Sequence, residues 1–160
     1  MAIRDIVKDG EPLLRKKSRP VDKFDGKLHS LLDDMLETMR AADGVGIAAP
    51  QVGILRQAVI CELETENEEE TEILEMINPV ILKSSGKQVG QEGCLSVPGK
   101  RCPVLRPKSV TVRYQDRFGN EITRVLEGFN AVVASHEIDH LSGILFYDKA
   151  VKEENGDGRK

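Results

Sequence analysis

The stretch from Asn130 to Gly143 constrains the fold more than any other part of the chain. At 3.6 residues per turn, Ala131, Ala134, Ile138 and Leu141 fall on one face, and Val132, Val133, His136 and His140 on another. Only Ser135, Asp139 and Ser142 remain as a polar third. A helix that is apolar on two faces must be covered on both, so it belongs at the centre of the fold. Asn130 at one end and Ser142-Gly143 at the other carry the expected capping chemistry.

The rest of the 160 residues reads as elements able to cover it. From Asp25 to Ala42, Leu28, Leu31, Leu32, Met35, Leu36 and Met39 form one apolar stripe, predicting an amphipathic helix with His29 on the surface. Strands are expected at Gln57 to Leu63 and at Ile73 to Leu82, where Pro79 argues for an edge or a break. Val104 to Tyr114 and Glu121 to Leu126 flank a turn at Asp116 to Asn120. Eight glutamates between Glu62 and Glu75 read as the solvent face and tip of a hairpin. Residues 1–24 read as an irregular arm interrupted by Pro12 and Pro20, whose Arg15, Lys16, Lys17 and Arg19 make a solvated face. One domain is expected over residues 1–150, with a disordered polar tail over 151–160.

Composition excludes several classes. No apolar run exceeds four residues, far short of the roughly 20 that cross a bilayer, so no membrane partner is expected. The opening residues lack the apolar core of a secretory signal, which points to the cytoplasm. With 23 basic against 27 acidic side chains and a net charge of −4, a nucleic-acid groove has no charge basis, and no DNA partner is expected. Three cysteines, an odd number, do not make a disulfide framework and leave metal binding or free thiols.

His136-Glu137-Ile138-Asp139-His140 is an HExxH. Four residues is just over one turn, so both imidazoles project from one face toward adjacent corners of a metal site, and Glu137 can reach a water there as general base. A third ligand is needed. The downstream histidine of one large peptidase class is replaced by Phe146, and Glu153 and Glu154 lie too near the helix to serve as the glutamate of the other. An upstream thiolate is the strongest candidate, and Cys94 sits between glycine and proline as a site loop would. Cys61 and Cys102 read as packing or free thiols.

Gly44-Val-Gly-Ile-Ala-Ala-Pro-Gln51, Glu92-Gly-Cys-Leu-Ser96 and His136-Glu-Ile-Asp-His140, in this order and spacing, resemble the three signature motifs of the peptide deformylases. The resemblance spans residues 1 to about 150 and includes Pro12-Leu-Leu-Arg15. It implies an α+β fold with antiparallel β-sheets packed around the central HExxH helix. It also implies removal of the formyl group from the N-terminal formyl-methionine of nascent polypeptides, releasing formate. By the same resemblance Cys94, His136 and His140 are the metal ligands, and Glu137 is the acid/base. Gln51 and the Leu95 backbone N–H are the oxyanion donors, and Gly46 and Ile47 line the substrate groove. The metal is Fe(II) in the cell, often replaced by Zn, Ni or Co in preparations. An apolar pocket containing Ile47 and Val133 suits a methionine side chain. Arg101 matches a position near the bound peptide, and a structural ion pair with Glu92 is the alternative.

Three features depart from that pattern. Ser135 stands where the family usually has glutamine. Many members dock on the ribosome through a further C-terminal helix, for which the polar ending offers no counterpart. The acidic run from Glu62 to Glu75 is longer than usual. Two rival functions share the site: a metal-dependent peptidase, and a structural metal module. The second predicts a closed four-ligand site, yet only three good protein ligands are found.

Overall fold

The computed structural model describes residues 2–152. The stripe beginning at Leu28 becomes α1 (Gly26–Ala41), and the Asp25 carboxylate caps it by accepting the Leu28 N–H at 3.2 Å. Seven strands follow in the order β1 (Gly46–Ala48), β2 (Ala58–Glu64), β3 (Thr71–Ser85), β4 (Gln88–Cys94), β5 (Val97–Arg106), β6 (Ser109–Gln115) and β7 (Glu121–Glu127). The HExxH lies on α2 (Phe129–His140), and short 3-10 turns occupy Pro12–Arg15, Ala49–Val52 and Phe146–Lys149. The strands form a five-stranded antiparallel sheet, β1-β2-β3-β6-β7, and a separate antiparallel hairpin, β4-β5. No helix among the described residues is long and apolar enough to cross a membrane.

The period-2 alternation along β2 sorts the core into two layers. Val59, Cys61 and Leu63 pack with Ala131, Val133 and Ala134 of α2 and with Leu141 just past it, while Ala58 and Ile60 pack with Leu28, Leu32, Met35 and Met39 of α1. The large sheet is therefore covered on both faces, by α1 on one and α2 on the other. The β4-β5 hairpin closes a third side of α2 through a smaller cluster of Val97, Val104, Leu145 and Phe146. This is an α+β fold of antiparallel sheets around the HExxH helix.

Several local expectations are corrected. Pro79 does not mark an edge, because β3 lies in the middle of the sheet, but it does fall at a break in the ladder. The pairing register shifts between Ile77 and Val80, so no ladder bond is asked of the missing N–H. Asn78 takes up the extra length at φ 52°, and its side chain bonds the Val21 N–H and carbonyl at 2.8 Å each. The single strand expected from Val104 to Tyr114 is two strands separated at Pro107, and Cys94 ends a strand rather than sitting in a loop. Asn130 does not cap α2: Gly128 holds that position, and the Asn130 amide brackets the Glu64 backbone with two bonds of 2.9 Å. His29 is half-buried, its Nε2 lying 2.8 Å from the Arg117 carbonyl oxygen. The acidic run does form the expected hairpin, β2-β3, with residues 64–70 exposed at its tip, and Glu72 and Glu75 are ion-paired with Arg124 and Arg117.

The arm is irregular but anchored. Val7 N–H donates to the Gln51 carbonyl at 2.7 Å and Asp9 N–H to the Ser96 carbonyl at 2.8 Å, tying the turn after β1 to the hairpin. From the segment expected as a tail, Val151 N–H donates to the Pro103 carbonyl at 2.9 Å, and residues 153–160 lie outside the described residues.

Gly143, just past α2, has φ 76°, and a Cβ there would strike the Arg15 carbonyl. Gly143→Ala is expected to lower stability by about 3 kcal/mol through left-handed strain plus this clash. Urea unfolding measures it, and an unchanged midpoint would show that the arm yields freely.

Candidate active site

His136 and His140 stand one turn apart on α2 and face the end of β4. The Cys94 thiol and one ring nitrogen from each histidine lie within 4.8 Å of one another, with Cys94 Sγ 3.4 Å from His140 Nε2. Both histidines are buried, and Cys94 is half-buried at the wall of a cavity of about 490 Å³. Glu137 is buried beside them, its Oε2 3.9 Å from His136 Nε2 and its Oε1 without a hydrogen-bond partner.

The glycines of the Gly44–Gln51 segment are required by close approach. A Cβ on Gly46 would collide with the Glu137 carboxylate, and one on Gly44 would come within 2.8 Å of Leu95 Cδ1. Gln51, in the 3-10 turn after β1, reaches across to the hairpin. Its Nε2 donates to Ser96 Oγ at 3.1 Å and lies 3.5 Å from Cys94 Sγ.

A buried ionic network orients the histidine nearest the hairpin. Arg106, with 2% of its side chain exposed, donates twice to Glu92, at 2.8 and 2.9 Å, and once to Asp139 at 2.7 Å. Lys149 adds a contact to Asp139 at 2.9 Å. Glu92 Oε1 lies 3.0 Å from His136 Nδ1 and accepts from it, leaving Nε2 directed at the metal position. Asp139, expected on a polar third of the helix, is thus turned inward to Arg106.

Burial would raise the Glu92 carboxyl, but hydrogen bonds from Arg106 and His136 outweigh it and hold it down to about 2. Burial pushes Glu137 up to about 7, with His136 and Arg106 pulling the other way. Burial, with the charges of His136 and Arg106, pushes His140 down, keeping a neutral ring with a free lone pair. Around His136, burial opposes a positive charge, yet Glu137, Cys94 and Glu92 together draw one in and raise its pKa. A site that attracts a proton so strongly onto a ring between thiol and carboxylates suits a bound cation. The soft Cys/His/His donor set, with His140 Nε2 beside Cys94 Sγ, fits the same conclusion.

Of the other residues singled out from the sequence, Gly46, Gln51, Leu95, Arg101 and Val133 all line the cavity. Ile47 does not: it is fully buried in the α1 layer, because successive residues of β1 face opposite sides of the sheet. Arg101 is exposed, its Nη1 3.2 Å from where a Gly93 Cβ would stand, and Glu92 is paired with Arg106 instead. The pairing of Glu92 with Arg106 is not legible in the sequence, because it needs the β4-β5 hairpin, whose register puts Glu92 opposite Cys102 and Arg106 opposite Gln88, and side chains long enough to meet along one face. Phe129 and Val132 also line the cavity.

Two histidines, a thiol and a buried carboxyl, gathered at the wall of a cavity that Cys94, His136 and Glu137 line, form the side-chain set of a mononuclear metallohydrolase. The polypeptide deformylase family model matches residues 3–156. A peptide deformylase of Alkaliphilus metalliredigens is 51% identical over 153 residues, covering 96% of this chain and 100% of the relative. The crystal structure of peptide deformylase from Thermotoga maritima superposes with a TM-score of 0.88 at 38% identity, covering 95% of this chain and 100% of that one. A Met-Ala-Ser-bound class I type b peptide deformylase from Acinetobacter baumannii superposes at 0.86 and 36% identity, covering 92% and 98%. The chain belongs to the polypeptide deformylase family of metal-dependent hydrolases that remove N-formyl groups.

Glu92 titrates near 2 in the fold against an ordinary 4.5, so its carboxylate contributes stability that is complete above pH 4.5 and lost as pH falls toward 2. In metal-free protein, unfolding stability should fall less steeply over that range in Glu92→Gln than in the parent. Equal slopes in urea titrations would mean that Arg106 and His136 do not hold the carboxylate down.

Proposed function

We propose that this protein removes the formyl group from N-terminal formyl-methionine of nascent polypeptides in the cytoplasm, with Glu137 moving the proton. The observation that carries this reading is the convergence of the Cys94, His136 and His140 donor atoms within 4.8 Å, with the Glu137 carboxyl buried beside them. Those three side chains would hold one divalent ion. Fe(II) follows from the family resemblance, and Zn, Ni and Co suit the same donors. Such an ion supplies Lewis acidity, polarising the formyl carbonyl and lowering the pKa of a water.

Glu137, buried beside the three donors with its Oε1 unpartnered, is poised to accept a proton from the attacking water and return it to the departing amine nitrogen. Gln51 Nε2 and the Leu95 N–H serve as donors to the oxygen that becomes anionic. Loss of one such donor typically costs about 10²–10³ in rate. Val133, with Val132 and Phe129 on the same wall, receives the methionine side chain, and Gly46 leaves room for the peptide backbone. Arg101 at the exposed rim contacts the peptide further on. The Met-Ala-Ser complex of the Acinetobacter relative supports a methionyl product in this cavity.

Glu137→Gln is expected to lower formate release from formyl-Met-Ala-Ser by about 10³-fold or more while keeping one metal per chain by elemental analysis. Undiminished release would remove Glu137 from the reaction, and cleavage of an internal peptide bond without formate would favour the peptidase. Cys94→Ser should leave most chains without metal under the same loading. Full occupancy there would overturn the ligand assignment.

A further inference from the structure

Gln51 ends in a group whose two faces are chemically opposite, so its use as a donor depends on which way the amide is turned and how firmly. The Ala48 N–H donates to Oε1 at 2.9 Å, which identifies that atom as oxygen and directs Nε2 to the hairpin. There Nε2 has two acceptors, Ser96 Oγ at 3.1 Å and Cys94 Sγ at 3.5 Å. The sulfur is the weaker acceptor and is also a candidate metal ligand. Ser96 is fully buried and Gln51 is 1% exposed, so no bulk water can replace the hydroxyl.

The backbones beneath both side chains are already held. Val7 and Asp9 donate to the Gln51 and Ser96 carbonyls, so the freedom that remains lies in the Gln51 side-chain torsions. We propose that Ser96 is a positioning residue for Gln51: its hydroxyl takes one Nε2 hydrogen and turns the other toward the Cys94 side of the cavity, where the anionic oxygen forms. This rests on the reading of Gln51 as an oxyanion donor. Without the hydroxyl, the buried amide has the sulfur as its remaining acceptor at that end. It rotates toward that sulfur, and a donor aimed in advance becomes one that must be re-aimed in every turnover.

The test uses zinc-loaded, 15N-labelled protein and reads the Gln51 side-chain amide by hydrogen exchange, with formate kinetics in parallel. In the parent, the Gln51 amide protons exchange far more slowly than those of exposed glutamines; exchange at the exposed rate would overturn the proposal without any variant. Ser96→Ala is expected to speed that exchange about tenfold and to lower kcat about tenfold with KM unchanged. Added to Gln51→Ala, the same change should alter kcat by less than about twofold, because there is no longer an amide to aim. Losses that multiply in the double variant would make Ser96 a packing residue and overturn the proposal, as would unchanged exchange in Ser96→Ala. If Gln51→Ala keeps the parent kcat while Ser96→Ala still speeds the exchange, the oxyanion role fails and the positioning contact stands.

Discussion

Placing His136, Glu137 and His140 in the dry centre of the molecule is the constraint on which the rest of the structure depends. Each of these groups carries a desolvation cost, and a helix lined with unpaired polar side chains would not stay buried between two sheets. The fold offsets that cost from three directions. The hairpin brings a carboxylate to His136 Nδ1 and a thiol to the open side of both rings, while the edge strand β1 offers glycine where the Glu137 carboxylate needs space. The pairing is incomplete at Glu137 Oε1 and at His140 Nδ1, the ring nitrogen not directed at Cys94. Partial satisfaction of this kind is tolerated where function requires it.

Arg106 shows how that arrangement is made rigid. A guanidinium with almost no contact with water is acceptable only because two carboxylates meet it, Glu92 from the paired strand and Asp139 from α2. The network locks hairpin to helix at the level of the candidate metal ligands, two residues from Cys94 and three from His136. Misplacing either element would leave a buried charge unpaired. The geometry of the three donors is thereby coupled to the register of β4 against β5. The N-terminal arm adds a second tie by bonding the Gln51 and Ser96 backbones together.

Much of the fold was legible because apolar periodicity is a local signal. The stripe of α1, the two apolar faces of α2 and the alternation in β2 each follow from spacing within a dozen residues. The β4-β5 hairpin was not legible, because Gly90, Gly93, Pro98 and Gly99 make it read as loop while its stability comes from pairing and from Phe146 beneath it. Pro79 leaves an edge and a break both open, and only the bulge against the neighbouring strand, which relieves the requirement for its N–H, selects the break. Asn130 has the chemistry of a cap but serves as a clamp to β2, since α2 begins before it at Phe129 and leaves its side chain to bond the Glu64 backbone.

The candidate site divides along the same line. The sequence by itself determined that His136 and His140 share a helix face with Glu137 adjacent, because four residues and one turn nearly coincide. It also placed Cys94 and Gln51 in segments of recognisable spacing. Only the tertiary structure decided that Cys94 meets those rings, that Glu92 belongs to Arg106 rather than Arg101, and that Ile47 faces α1 while Gly46 opens the cavity. Those outcomes depend on strand register and on which face of a sheet each residue occupies. A shift of one residue reverses every face, so such choices are settled by contacts between elements far apart in the chain and not by any local run of residues.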